Sequence, residues 1–432
     1  MSLADALLAC EPPLDAVTTD VVTPDVDARR ASLTARVASA FETIRASKST
    51  LERARRERND NDARASSALI VEVGTHAATR SPSTAALVVL ACGAHGGVEG
   101  DDGPAWSSRD ARDAAARTFD AVFANDPDGF VEAFVESCEK VLFDALRVPR
   151  DSFAAEASEL ESRARVAARR LLWGAGAAAD AARTADVLAV AMPCALRAMD
   201  YPCGAVKVMG ARAAAIMQRT GRLAERGRAD ALLDAARAAL AGALPEVWPH
   251  ALEMACALTV ETCVANDRDA VEEYRKTFAR AIDCASLHGA DVAYARPFLR
   301  VMPAFVESAR ACVVVHLNRL LPLLCGYMRS VRDDVAVDAA RLVAVVARNA
   351  WPRMRAHCRE LWPHLKCAYA EADARSAKSC DALRREIERV AELVQLAAGD
   401  SFADAWKNDS DVPERAVGLV RFVASLPERV VG

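Results

Sequence analysis

Aromatic residues and strand-like segments are scarce in this chain. Aromatic side chains make up only 5% of the 432 residues, although apolar residues make up 52%. Alanine, the best helix former, supplies much of that apolar content, and β-branched clusters with period-two alternation are rare. The composition therefore predicts an all-α protein. The chain is too long for one compact core and fits two or three domains or one extended array.

The charge balance and the apolar runs argue against several classes of partner. A net charge of −5 is small for this length, and it does not provide the basic field that supplies most of the affinity for nucleic acid. No run of about 18 uncharged apolar residues could span a bilayer. The N-terminus also lacks the basic region and long apolar run of a secretory signal. We therefore expect neither a nucleic-acid nor a membrane partner.

The cysteines show no pairing motif. There are thirteen, scattered singly and without a C-x-x-C pair. Cys194, Cys256, Cys312 and Cys325 lie inside apolar helical patterns, where a free cysteine behaves as a small hydrophobe. This usage predicts free thiols in a reducing compartment.

No residue pattern carries recognisable chemistry. The Gly-rich stretch 93–110 lacks the phosphate-binding G-x-x-x-x-G-K-[ST] pattern. A zinc site at His357 and His364 with Cys358 and Cys367 would need ligands to reverse direction, so packing or capping roles are favoured. His316 has no accompanying nucleophile motif. We expect no enzyme activity, no metal and no cofactor.

A helical repeat is clearest between Arg319 and Trp362. Apolar residues recur there at spacings of three and four, first over Leu320–Met328 and then over Val335–Val346, separated by an acidic turn. Pro322 is expected near the start of the first of these helices, and Pro352 is expected to start the next. Pro363 marks the same point again, 41 residues after Pro322, and Pro193 is expected to open a helix in an earlier repeat. A helix pair repeating at about 40–47 residues predicts a HEAT or armadillo-like solenoid. Such folds usually present surface to other proteins.

The repeats divide the chain into three predicted regions. Residues 1–110 form an irregular helical region whose Gly-rich acidic loop, 93–110, is expected to be dispensable for folding. Residues 111–290 form helical repeats, and residues 291–432 form C-terminal HEAT-like repeats.

A ladder of paired charges is a further prediction, because HEAT repeats usually hold neighbouring repeats in register in this way. In the repeat at 192–217, Lys207 is expected to reach Asp200 in the preceding turn. In the repeat that begins near Pro322, either Asp338 breaks the ladder or Arg341, offset from Asp334, keeps it.

The C-terminal block resembles one known family. A helix ending in His316-x-x-Arg319-Leu320 and a Pro-Leu-Leu run is followed by the acidic turn Asp333-Asp334 and then by Trp351-Pro352-Arg353 with His357. This pattern is similar to the C-terminal signature of the Tel-two-interacting protein two family, the smallest subunit of the Triple-T co-chaperone complex. The matched parts cover about a third of the chain.

The resemblance implies a non-catalytic helical solenoid in a hetero-oligomer with the two larger Triple-T subunits. That complex works with the Hsp90 system on phosphatidylinositol-3-kinase-related kinases, the checkpoint and TOR kinases, in cytoplasm and nucleus. Alternatives are an importin-like adaptor, a phosphatase scaffold or an all-α enzyme. The motif residues that stay polar, and a tryptophan predicted to be mainly a packing anchor, are the candidate partner contacts: His316, Arg319, Asp333, Asp334, Trp351, Arg353 and His357.

Overall fold

The computed structural model describes residues 82–96, 109–147, 154–179, 184–220, 229–241, 244–265, 270–289 and 291–426. These residues form α-helices with short 3-10 and π turns, and they contain no strand. The all-α helical-repeat prediction is therefore confirmed. The predictions for residues 1–81 lie outside the described residues.

The chain forms two compact units, Met1–Glu225 and Arg226–Gly432. The predicted boundary at residue 290 does not coincide with this division. The Phe278 ring contacts the His316 ring, with centroids 5.3 Å apart, and Arg319 pairs with Asp283. The helix that holds Phe278 and Asp283 therefore belongs with the C-terminal repeats.

The first unit is built around a small aromatic cluster. Its described helices are α1 Pro82–His95, α2 Arg109–Phe123, α3 Pro127–Ser137, a π turn Cys138–Leu142 with α4 Phe143–Ala145, α5 Ala154–Ala177, α6 Thr184–Asp200 and α7 Gly204–Arg219. The Phe119 and Phe130 rings meet edge to face, with centroids 5.1 Å apart, and both contact Trp173. Edge-to-face packing of this kind adds to the burial of each ring.

The start of the predicted loop 93–110 is packed. Residues 93–95 finish α1, and residues 109–110 begin α2. Gly93 and Gly96 are buried. A Cβ at Gly96 would lie 2.1 Å from Cδ1 of Trp173, so the backbone reaches the indole only because glycine has no side chain. The prediction that all of 93–110 is dispensable is therefore wrong at its ends; residues 97–108 lie outside the described part.

The predicted pair between Lys207 and Asp200 does not form. α6 and α7 pack closely as expected, with Val206, Gly210 and Ala213 buried, but no ion pair joins Lys207 to Asp200 among the described residues. Small apolar residues make the contact along this hairpin, and Lys207 is partly buried.

The second unit consists of helices arranged in two layers. They are α8 Ala229–Leu240, α9 Trp248–Ala265, α10 Ala270–Leu287, α11 Val292–Ala309, a 3-10 segment Arg310–His316, α12 Leu317–Met328, α13 Asp333–Asn349, α14 Trp351–Glu371, α15 Ala377–Ala398, α16 Asp400–Lys407 and α17 Val417–Ser425. Helices α8, α10, α12, α14 and α16 pack side by side in layer A. Helices α9, α11, α13, α15 and α17 do so in layer B. The apolar stripes predicted on α12 and α13 are buried between the layers.

Charged side chains one repeat apart join neighbouring helices of the same layer. Their separations in sequence run from 36 to 45 residues, a range that begins below the predicted period and overlaps it. The pairs are Arg237–Glu273, Asp283–Arg319, Arg296–Asp334, Glu307–Arg348, Arg329–Glu371, Asp333–Arg375, Lys366–Asp409 and Arg341–Glu386. A charge ladder exists, but Arg341 keeps it through Glu386 and not through Asp334.

One of the predicted helix-start prolines is confirmed, because Pro352 lies in the first turn of α14, but three others are not at helix starts. Pro193, Pro322 and Pro363 all lie inside helices. Pro322 and Pro363 are exposed, so water can bind the carbonyl that a missing N–H leaves unpaired. The true start of α14 is at Trp351, and α16 was not predicted.

One apolar stretch meets a length-and-composition test for crossing a membrane. Val292–Met328 has a window of mean hydropathy 1.4, half of it buried. It is divided into α11, the 3-10 segment and α12. Buried core helices pass the same test, so among the described residues this is weak evidence, and the expectation of no membrane partner stays a prediction.

Candidate protein-docking surface

The seven predicted contact residues lie on neighbouring elements between the 3-10 segment and α14, but in very different surroundings. His316 is buried against Phe278. Burial, followed by the charges of Arg319 and Arg275, lowers the pKa of His316, so the imidazole is neutral at pH 7. This neutral, buried ring at the end of the 3-10 segment packs inside the unit.

Arg319 and Asp334 form ion pairs inside the repeat array, as does Asp333, described next. Arg319 pairs with Asp283 of α10. The Arg296 guanidinium donates to Asp334 over 2.5 Å, and this hydrogen bond lowers the pKa of Asp334. These charges hold one repeat against the next, so no partner is needed to explain them.

Asp333 faces the following repeat. Arg375, whose side chain is buried, donates to Asp333 over 2.9 Å and to the carbonyl of Ser330 over 2.5 Å. Hydrogen bonds from Ser379 and Arg375 lower the pKa of Asp333. The acidic turn at the start of α13 thus connects both neighbouring repeats, since Asp334 reaches α11 and Asp333 reaches the segment before α15.

Trp351 is not the packing anchor that the sequence predicts. Its side chain is 53% exposed at the first position of α14. The anchor is Trp362, which is 2% exposed and donates through Nε1 to Asp409 over 2.7 Å. Large exposed indoles are common centres of protein interfaces, so Trp351 remains a contact candidate.

The remaining two candidates also lie on the first two turns of α14. Arg353 is exposed and forms no ion pair with a described residue. His357 is partly buried, and its Nδ1 lies 3.8 Å from Oε2 of Glu360. The start of α14 therefore presents an indole and a guanidinium to solvent.

Sequence analysis missed Arg310, which begins the 3-10 segment. Arg310 has φ 50° and ψ −124°, a conformation that favours glycine. It is exposed and forms no ion pair with a described residue. Val315, five residues later, is 64% exposed. No local pattern in the sequence indicates a positive φ at an arginine.

Arg310 and Trp351 begin successive elements of layer A. Phe278 of α10 contacts His316 at the end of the 3-10 segment. Further along both elements, the carbonyl of Ala285 accepts a hydrogen bond from the Tyr327 hydroxyl of α12 over 3.3 Å. The 3-10 segment and α12 thus run in the same direction as α10. Arg329 after α12 pairs with Glu371 at the end of α14, so α14 runs in this direction too, and the starts of these elements lie at one edge of the unit. We call Arg310, Val315, Trp351 and Arg353 the edge patch.

The chemistry available at the edge patch is binding chemistry. It offers exposed apolar surface and two guanidinium groups, which bind carboxylates well. Within the described residues, no group of three or more His, Cys, Asp and Glu side chains is placed to hold a metal ion. The described cysteines are all unpaired thiols, and burial raises the pKa of Cys325 to about 12, which makes it a poor nucleophile.

Comparisons with known proteins add the following. No protein-family model matches the chain, and no curated protein matches it. Among solved structures, Kap121p bound to RanGTP matches with a TM-score of 0.45 and 14% sequence identity. The match covers 92% of this chain and 42% of that one, so this chain spans less than half of Kap121p. A likeness this low does not extend to what Kap121p binds, and the family resemblance stays a prediction.

Proposed function

We propose that this chain is a non-catalytic helical-repeat scaffold that binds another protein through the edge patch. The observation that carries the proposal is the contrast within one motif. Arg319, Asp333 and Asp334 are held by other repeats, whereas Trp351 keeps 53% of its side chain exposed beside Arg353. An exposed indole next to a guanidinium has the composition that hot spots of protein interfaces favour.

The motif resemblance supports a finer proposal. We propose that the partner is a larger subunit of a Triple-T-type co-chaperone complex, acting with Hsp90 on phosphatidylinositol-3-kinase-related kinases. The protein would then be a cytoplasmic and nuclear hetero-oligomer, without cofactor, nucleic acid or membrane. The observation that supports this finer proposal is the match of the C-terminal motif, from His316 to His357, to the family signature.

The test is affinity purification of the tagged full-length chain from its own cells, followed by mass spectrometry. Wild type is compared with a Trp351→Ala/Arg353→Glu double variant. The control is Leu287→Ala/Arg280→Glu, which changes an exposed leucine and an exposed arginine on α10, the leucine at its opposite end. Circular dichroism checks that all three proteins keep their helicity.

Recovery of both larger Triple-T subunits by wild type and control, but not by the edge-patch variant, is the expected result. Recovery of transport factors or phosphatase subunits instead would overturn the Triple-T assignment but would support the proposal that the chain is a protein-binding scaffold. Equal recovery of partners by the edge-patch variant would place the docking surface elsewhere.

A further inference from the structure

Arg310 occupies a backbone conformation that belongs to glycine. It is the only non-glycine residue with positive φ among the described residues. Gly399, at the junction between α15 and α16, has nearly the same angles, φ 53° and ψ −126°. The same kind of junction is thus built once with glycine and once with a residue whose Cβ disfavours it. Folding favours glycine at both places.

The side chain of Arg310 is exposed, and no polar partner in the part of the chain that the structure describes offsets this cost. Four exposed layer-B arginines, by contrast, find carboxylates within 4 Å: Arg296, Arg300, Arg341 and Arg348. Arg310 forms neither an ion pair nor a side-chain hydrogen bond with a described residue. The disfavoured conformation thus goes with an exposed guanidinium that is available to a molecule outside this unit.

The surroundings of Arg310 define what that molecule must offer. Glu307, one turn earlier, is already paired with Arg348 at 3.2 Å. Val315 adds exposed apolar surface on the same segment. At the start of the next layer-A helix, Trp351 adds more apolar surface and Arg353 adds a second positive charge. The patch is therefore basic and apolar together, and it is complementary to a segment that is acidic and apolar together.

We propose that Arg310 is a specificity residue of the edge patch, which binds a protein segment carrying carboxylates next to an apolar side chain. This inference rests on the proposed docking function and names the chemistry of the partner. The phosphates of a nucleic acid would also bind arginine side chains. Exposed valine and tryptophan beside only two guanidiniums, on a chain of net charge −5, favour protein.

The probe is a labelled amphipathic peptide with leucines on one helical face and glutamates flanking them. A matched peptide has lysine in place of each glutamate, and an oligouridine tests nucleic acid. Binding is measured by fluorescence anisotropy to the full-length chain. The variants are Arg310→Gly, Arg310→Lys and Arg310→Glu, with Arg280→Ala as the control on α10.

The glutamate peptide should bind wild type at least about tenfold more tightly than the lysine peptide. Arg310→Gly should weaken that binding by about tenfold, Arg310→Glu by more, and Arg310→Lys and Arg280→Ala by little. Arg310→Gly should not lower the melting temperature, because glycine suits the backbone there. A residue with a merely structural role would change stability and leave binding unchanged.

Equal binding of the two peptides, or unchanged binding by Arg310→Gly, would overturn the inference. So would tighter binding of oligouridine that is lost in Arg310→Gly, because the partner would then be nucleic acid. This assay is independent of the cell purification. Failure to recover Triple-T subunits rejects the finer function, whereas failure of the peptide series rejects the acidic partner.

Discussion

Arg310 and Gly399 share one backbone conformation at two junctions between helical elements, with φ 50° and ψ −124° at the arginine and φ 53° and ψ −126° at the glycine. Replacing each residue should therefore have opposite effects. Arg310→Gly should raise the free energy of unfolding by about 1 kcal/mol, and Gly399→Ala should lower it by about the same amount. Urea unfolding followed by circular dichroism measures both. A loss of stability in Arg310→Gly would show that the arginine side chain contributes to folding.

A second prediction concerns the partly buried pair formed by Lys366 and Asp409. Lys366 Nζ donates to Asp409 over 2.7 Å and to the carbonyl of Asp411 over 2.6 Å. Asp409→Asn should cost about 2–3 kcal/mol, because it leaves the lysine ammonium without its counter-charge in a largely buried place. The control is Asp338→Asn, whose pair with Arg341 is exposed and should contribute below about 1 kcal/mol.

The same pair predicts how stability depends on pH. Burial raises the pKa of Asp409, but hydrogen bonds from Lys366 and Trp362 outweigh it, and the pKa is lowered overall. A carboxyl group with a lowered folded-state pKa stabilises the fold above its unfolded pKa of about 3.9 and loses that contribution as pH falls through the folded value. The difference between wild type and Asp409→Asn should thus be full at pH 7 and shrink below about pH 4. A constant difference across that range would contradict the pairing.

Trp351 and Trp362 should respond oppositely to alanine. Trp362→Ala removes a buried indole that contacts the Phe402 ring, with centroids 5.9 Å apart, and should cost about 3–5 kcal/mol. Trp351→Ala should cost less than about 1 kcal/mol, because more than half of the side chain is exposed. Chemical unfolding of both variants compares them directly. Comparable losses would mean that Trp351 is the packing anchor after all.

Two glycines, one in each unit, should respond oppositely to alanine. Gly96→Ala places a Cβ against the Trp173 indole and should cost about 1–3 kcal/mol by overpacking. Gly326→Ala in α12 meets nothing within 4 Å and should stabilise its helix by about 0.5–1 kcal/mol. Melting curves that move the same way in both variants would contradict this description of α1.

The fold could be predicted from local periodicity, but the docking surface could not. The stripe from Leu320 to Met328 marks a buried helix face wherever that helix packs. Whether a single tryptophan is buried cannot be predicted from a periodic pattern of this kind. Trp248, Trp351 and Trp362 each precede a proline, yet only Trp351 is exposed, because exposure depends on which helix lies alongside.

The charged candidates show the same limit. The sequence marks Arg319 and Asp334 as polar residues on apolar helices, but their partners Asp283 and Arg296 lie 36 and 38 residues away. Only the packed repeats show that these charges neutralise each other. The positive φ of Arg310 likewise arises where α11 ends and the 3-10 segment begins, which no period in the sequence encodes.

The measurement that tests the docking surface most directly is partner recovery by Trp351→Ala, made alongside its melting temperature. The edge-patch account predicts that the tagged variant keeps a wild-type melting temperature and binds its protein partner at least about thirtyfold more weakly, the effect of losing an interface hot spot. Wild-type recovery by a folded Trp351→Ala variant would contradict the account.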